Sequence, residues 1–211
     1  MLLTVVDYGV GNLRSIAKSL EKANSEKNLN YTIKVSSDVN DVKKSDKIIL
    51  PGQGSFKACK NGINNIKGLK DELDDSVLVK KKPIYGICAG MQLFATKGYE
   101  EEETSGLNWI PGEVVKLDIK SSNLKIPHMG WNELKIKNQS KVFQDVFNDN
   151  HAYFIHSYEF IPKDKKNVSI TTNYGKDVIA AVSFENIFGS QFHPEKSQDT
   201  GIKILINFLN L

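Results

Sequence analysis

The chain is short of several things. It has two cysteines, Cys59 and Cys88, in 211 residues, which is no disulfide framework. Arg14 is the single arginine among 28 basic residues, and the formal net charge is only +3. Nucleic-acid-binding domains are strongly basic on one face, so nothing argues for that class. The lysine excess reads as compositional habit rather than a site. The cysteines and the four histidines nowhere take zinc-site spacing, so neither a metal nor a cofactor is expected. No apolar run approaches the roughly 18 residues of a membrane-spanning helix. The opening MLLTVVDYG lacks a basic leader and its apolar run is too short for a signal peptide. We expect a soluble, cytoplasmic protein, in which the N-x-S triplets at Asn138 and Asn167 are chance matches.

What is present is globular composition, 40% apolar and 25% charged. The length argues for one domain over residues 1–211, able to bury a sizeable core unaided. There is no internal repeat and no low-complexity tract. The first part alternates strand and helix patterns. Leu2 to Val6 is an apolar run ending in Asp7-Tyr8-Gly9, and Leu13, Ile16, Ala17 and Leu20 recur at helical spacing. Strand patterns follow at Tyr31 to Val35, Lys47 to Leu50 and Pro83 to Ile87. Helical patterns lie at Phe56 to Ile66, Leu69 to Lys80 and Met91 to Ala95. This order predicts an α/β fold, a mostly parallel sheet flanked by helices. The second half reads as additional antiparallel strands: Glu113 to Leu117, Glu133 to Ile136, Tyr153 to Tyr158, Val168 to Thr172, Val178 to Phe184 and Ile187 to Phe192. A helix closes the chain at Thr200 to Leu209. The charge run Glu100 to Glu103 reads as a solvated loop.

The strongest local signal is Gly86-Ile87-Cys88-Ala89-Gly90, between a predicted strand and a predicted helix. It is the nucleophile-elbow pattern with cysteine in place of serine. A side chain two residues either way would crowd the neighbouring strand or helix. The helix start favours the thiolate, the reactive form, and its amides can donate to an oxyanion. By itself the segment is equally compatible with a small buried cysteine in a glycine-rich turn. Cys59 lies in a helical pattern without flanking glycines and reads as structural.

A cysteine nucleophile needs a histidine, and the histidine an orienting acceptor. Of His128, His151, His156 and His193, the last stands out. In His193-Pro194-Glu195 the proline biases His193 toward extended backbone, where residues i and i+2 point the same way. Glu195 can then accept the second imidazole N–H, unless the segment is merely a surface turn. His156 reads as structural and His151 as surface. His128, before Met129-Gly130-Trp131, suits substrate, partner or packing equally. Pro51-Gly52-Gln53-Gly54-Ser55-Phe56 follows a strand, and its glycines leave a backbone able to aim an N–H at a developing negative charge. Alone, such a turn is weak evidence.

Together these pieces resemble the class I glutamine amidotransferases, a flavodoxin-like α/β family with a Cys-His-Glu triad. DYGVGN (Asp7 to Asn12), PGQGSF (Pro51 to Phe56), GICAGMQ (Gly86 to Gln92), IPHMGWN (Ile126 to Asn132), YFIHSY (Tyr153 to Tyr158) and QFHPEKSQ (Gln191 to Gln198), in that order, narrow the likeness. They look like the glutaminase subunits of imidazole glycerol phosphate synthases. The likeness runs nearly the whole chain. It implies hydrolysis of L-glutamine to glutamate and ammonia. The ammonia would pass through a shielded channel to a (βα)₈-barrel cyclase subunit, in a heterodimer, for histidine biosynthesis. It also implies roles. Cys88 would attack the amide, His193 would move the proton and Glu195 would orient it. Backbone at Gly52, Gln53, Gly54 and Ala89 would hold the oxyanion. Gly54, Gln92, Glu100, Ser157 and Tyr158 would contact glutamine, with Glu100 in a loosely aligned loop. Asn12, Pro127, Tyr153 and Lys196 would face the cyclase and the ammonia exit.

Two positions depart from the family pattern, which more often has an aliphatic residue at Gln53 and leucine at Ala89. Gln53 sits in the loop whose peptide must turn toward the oxyanion, so its amide is expected to alter that rearrangement. Ala89 leaves the elbow intact, since its backbone N–H is the working part. Three competing readings are a paralogue feeding ammonia to another synthase, such as a sugar-amidating enzyme; a non-catalytic binding subunit; and an unrelated cysteine hydrolase.

Overall fold

A computed structural model describes residues 1–119 and 124–211. The first half builds β1 (Leu2–Val6), α1 (Leu13–Glu26), β2 (Thr32–Ser36), α2 (Val39–Lys44), β3 (Lys47–Leu50), α3 (Phe56–Asn65), α4 (Leu69–Asp74), β4 (Ile84–Ile87) and α5 (Ala89–Gln92). The second half adds β5 (Lys97–Gly98), β6 (Thr104–Ser105), β7 (Gly112–Lys116), β8 (His128–Glu133), β9 (Lys135–Ile136), β10 (His151–His156), β11 (Tyr158–Pro162), β12 (Val168–Asn173), β13 (Asp177–Phe184) and β14 (Ile187–Ser190). A 3₁₀ turn at Pro194–Lys196 leads into α6 (Gln198–Leu209).

An eight-stranded sheet runs β2-β1-β3-β4-β14-β13-β12-β9. The strands from β2 to β14 are parallel, and β13, β12 and β9 continue the sheet antiparallel. Strand alternation sorts the core onto two faces. On β3, Ile49 joins Leu3, Val5, Leu20, Leu205 and Phe208 under α1 and α6. Ile48 and Leu50 join Phe56, Ile63, Leu73 and Phe94 on the other side. The parallel, helix-flanked sheet expected from the sequence is therefore present, with the antiparallel extension attached to it. The remaining strands form a β8–β10 pair and a small sheet of β11-β7-β5-β6.

Several boundaries differ from the sequence reading. The helical pattern from Leu69 passes into a π-helical stretch at Asp75–Val79. α2 was not expected; it is six residues long, and Asp38 caps it by accepting from Asn40 N at 2.8 Å. The segment read as one strand from Tyr153 to Tyr158 is broken at Ser157. β10 ends there against β8, and β11 leaves to pair with β7. His156 Nδ1 bonds the Tyr158 carbonyl at 2.8 Å across the break and holds the corner.

The topology also places the chemistry. The strand order reverses around β1 and β3, and ligands of open α/β sheets sit outside the carboxyl ends of strands at such a point. β3 delivers Pro51-Gly52-Gln53-Gly54 there, β4 delivers Cys88, and β14 delivers Gln191 to His193.

Candidate active site

Cys88 stands between β4 and α5 with φ +55° and ψ −116°, a strained conformation for a residue with a side chain. The turn is closed by Cys88 N–H donating to Ser190 O at 2.8 Å. Close packing explains the flanking glycines. A Cβ on Gly86 would come within 2.7 Å of Met91 Cα, and one on Gly90 within 2.0 Å of the Leu50 carbonyl oxygen. Cys88 is 9% exposed, so the sulfur has access without being bathed in water. Ala89 opens the helix, where its N–H has no intrahelical partner.

The backbone of His193 is held on both sides. Its N–H donates to Tyr153 O at 3.0 Å, and its carbonyl accepts from Ser197 Oγ at 2.7 Å. The ring then lies between two acids. Nδ1 is 2.8 Å from Glu195 Oε1, and the ring lines the same cleft as Cys88, whose sulfur interacts with it electrostatically. Burial works against charging this imidazole. The Cys88 sulfur and the Glu195 carboxylate outweigh it and raise the pKa to about 10. The arrangement favours the imidazolium form of His193.

Gln191 was not singled out as a site residue by the sequence reading. It is fully buried, and its Nε2 lies 3.5 Å from Cys88 Sγ. Its Oε1 accepts from Gln92 Nε2 at 2.9 Å. The available signal was its spacing, two residues before His193 in extended chain.

A cleft of about 320 Å³ opens over the sulfur. It gathers Gly52, Gln53, Gly54, Ala89, Gln92, Glu100, Pro127, Ser157, Tyr158 and Lys196 around Cys88 and His193. The Gly52 backbone packs on the elbow: a Cβ there would meet Gly90 N at 2.0 Å. The Tyr8 hydroxyl donates to the Pro51 carbonyl and pins the loop from below. A thiol, an imidazole backed by a carboxylate, and backbone amides at a loop and a helix start are together chemically able to carry out acyl transfer.

A sequence pattern for glutamine amidotransferase class-I matches residues 4–211. The chain belongs to the class-I glutamine amidotransferase family. It is similar to the imidazole glycerol phosphate synthase subunit HisH of Pelagibacter ubique, at 50% identity over 211 residues and the full length of both chains. It is 44% identical over 210 residues to subunit HisH 1 of Campylobacter jejuni, again over both full lengths. Among solved structures, one titled glutamine amidotransferase superposes with TM-score 0.72 at 18% identity, covering 99% of each chain. PurLQS from Thermotoga maritima superposes at 0.70 and 20%, covering 99% of this chain and 97% of that one. At those identities the structures speak for the fold.

Within this amidotransferase fold the other sequence-selected residues fall as follows. Glu100 is more than a solvated charge, since its Oε2 accepts from Phe56 N at 2.7 Å and ties the cleft wall to the start of α3. Glu195 lies behind the cleft, against His193. Tyr153 is one step outside, with Lys196 Nζ 5.6 Å from its ring centroid. Asn12 is not among the cleft-lining residues; it caps α1, accepting from Ser15 N at 3.4 Å. Cys59 is buried in α3 with its thiol toward the Gln53 carbonyl at 3.6 Å, and burial raises its pKa to about 11. His151 is exposed beside Glu133. His128 and His156 are buried against one another. Among the described residues no helix is long and apolar enough to cross a membrane.

Proposed function

We propose that this chain is the glutaminase subunit of an imidazole glycerol phosphate synthase, hydrolysing L-glutamine to glutamate and ammonia for histidine biosynthesis. The observation that carries the reading is His193, which shares one cleft with Cys88 and has its Nδ1 2.8 Å from Glu195 Oε1. The HisH relatives, matched along their whole length, support the pathway.

In this reading the steps are these. The Cys88 thiolate attacks the glutamine amide carbon, and the carbonyl oxygen becomes an oxyanion facing backbone amides of Gly52 to Gly54 and Ala89. His193 gives its proton to the leaving nitrogen. The C–N bond breaks, releasing ammonia and leaving a glutamyl thioester on Cys88. Neutral His193 then takes a proton from water, which attacks the thioester carbon. Collapse expels the thiolate, yields glutamate and restores the imidazolium. Glu195 keeps Nδ1 protonated and oriented throughout. Gln92, Glu100, Ser157 and Tyr158 line the place for the glutamine head group.

Ammonia is mostly protonated at neutral pH and is then no nucleophile, so a shielded route to the acceptor makes physical sense. The partner in this reading is a (βα)₈-barrel cyclase subunit. Asn12, Pro127, Tyr153 and Lys196 mark the face toward it. The test is glutamate release by the chain alone, then with the cyclase from the same source, with and without the cyclase's ribonucleotide ligand. Stimulation by both, abolished in Cys88→Ala, supports the reading. Turnover indifferent to the cyclase moves the acceptor to another synthase. No glutamate in any condition defeats it.

A further inference from the structure

The cleft is wired to β8 by two series of hydrogen bonds, one running from Asn132 to the Tyr158 carbonyl and one starting at Gln92, which donates to that same carbonyl. Asn132 Nδ2 lies 3.1 Å from His128 Nε2. Asparagine Nδ2 can only donate, so His128 Nε2 accepts and its proton sits on Nδ1. His128 Nδ1 is 3.0 Å from His156 Nε2, which must therefore accept. The His156 proton then also sits on Nδ1, which donates to the Tyr158 carbonyl at 2.8 Å. That carbonyl accepts a second bond from Gln92 Nε2 at 3.0 Å. Gln92 continues to Gln191, and Gln191 to the Cys88 sulfur. One set of tautomers satisfies every link.

The pair is also built to stay neutral. His128 is stacked between Tyr174, at 4.0 Å between centroids, and Phe154, at 4.6 Å. Burial lowers the pKa of His128 to about 4 and that of His156 to about 3. A charged ring would carry a proton on the nitrogen that must accept, and the chain would break at that link.

We infer that His128 and His156 are positioning residues: a neutral pair, each protonated on Nδ1, that holds the Ser157 corner in the cleft wall and ties it to β8. The inference rests on the glutamine reading above. Ser157 and Tyr158 flank this corner, and both line the cleft. The other end of the chain, Asn132, belongs to a strand whose Met129 and Trp131 side chains are exposed. Movement of β8 is thereby transmitted to the glutamine contacts through the imidazoles.

Two measurements test it. Long-range ¹H–¹⁵N correlation on the ¹⁵N-histidine-labelled chain reads the tautomers directly, and both rings are expected as Nδ1–H. An Nε2–H form at either overturns the proposal without any variant. Alkylation of Cys88 gives the functional arm, with a diazoketone analogue of glutamine against iodoacetamide, which has no glutamine head group. His156→Gln keeps a partner for His128 but leaves the Tyr158 carbonyl unpaired on that side. Its half-saturating analogue concentration is expected to rise roughly tenfold, the effect of losing one of the two hydrogen bonds to that buried carbonyl. The iodoacetamide rate should stay at the wild-type value, which a merely structural lesion would not spare. His156→Asn places its amide where Nδ1 stood and should stay within about threefold of wild type for both reagents. Equal analogue kinetics in His156→Gln and wild type would overturn the proposal. A wild-type chain that reacts with iodoacetamide but not with the analogue would instead remove the glutamine reading, and this inference with it.

Discussion

Glu195 spends one carboxylate oxygen on His193 and leaves the other without a hydrogen-bond partner: Oε1 is 2.8 Å from His193 Nδ1, while Oε2 is buried and unpaired. A buried carboxylate so poorly solvated depends on a neighbouring positive charge, and the imidazolium supplies it. Replacing Glu195 with Gln removes the negative charge beside Nδ1 and leaves His193 free to lose its proton or turn. The expected result is a fall in the glutamate-release rate of roughly 10²–10⁴-fold, the usual contribution of a positioned acid–base group. Steady-state assay of Glu195→Gln, with its melting temperature checked, decides this; a rate within a few-fold of wild type contradicts the role.

Gln191→Leu tests the residue that the sequence reading passed over. The leucine fills similar volume but withdraws the N–H now 3.5 Å from Cys88 Sγ. Thiolate reactivity should drop by about tenfold, as for loss of a single hydrogen bond to a charged group. The iodoacetamide rate across pH reads it, and an unchanged profile would count against Gln191 as a thiolate partner.

Gly201 lies under the turn that carries Glu195. A Cβ there would stand 1.9 Å from the Pro194 carbonyl oxygen. Gly201→Ala must push α6 and the Pro194–Lys196 turn apart, with a stability loss of about 1–3 kcal/mol or more for such overpacking. Glutamate release should fall more steeply than the melting temperature alone explains, because the displacement reaches Glu195. Full activity in a folded variant would show that the turn yields without moving the carboxylate.

Gln53→Val puts in place of the amide the aliphatic side chain that the family resemblance leads one to expect there. The Gln53 side chain is exposed, so little stability should change. The loop is anchored on both sides of its tip, by Tyr8 on Pro51 and by the Cys59 thiol at the Gln53 carbonyl. The substitution is expected to alter either the basal or the partner-stimulated rate of glutamine turnover. Identical rates in both states would remove Gln53 from any account of the loop.

Stability should depend on pH through the paired histidines. Burial depresses both, His128 to about 4 and His156 to about 3, against about 6.5 in an unfolded chain. Between those values the unfolded state binds more protons than the folded one, so stability rises with pH. It is complete above about 6.5 and is lost as pH falls toward 4. The melting temperature of the wild type should therefore drop between pH 7 and 5, roughly the upper part of that window. The double variant His128→Gln, His156→Asn should show a flatter slope, and equal slopes would refute the assignment.

Much of this protein was legible from short segments. The GICAG elbow, the His193-Pro194-Glu195 triplet and the Pro51-Gly52-Gln53-Gly54 turn stand out as candidates because each is local, and only the family resemblance joins them into one chemistry. The backbone conformation and the group it presents are set by neighbours within two or three residues. Hydrophobic periodicity likewise marked most strands and helices of the α/β core, since pleat and helical pitch impose their period on the chain itself. The six-residue α2 lacked the length to show one, and the corner at Ser157 interrupted an otherwise uniform alternation. What only the tertiary structure decided is which polar groups meet. Gln191 reaches Cys88 across 103 positions of sequence, Gln92 reaches the Tyr158 carbonyl across 66, and His128 reaches His156 across 28. Those encounters follow from strand order and from β8 pairing with β10, and neither is written in any local pattern. A histidine in a strand looks the same whether it faces solvent, packing or another imidazole. Its partner, and through it its tautomer and charge, is fixed only when the sheets close.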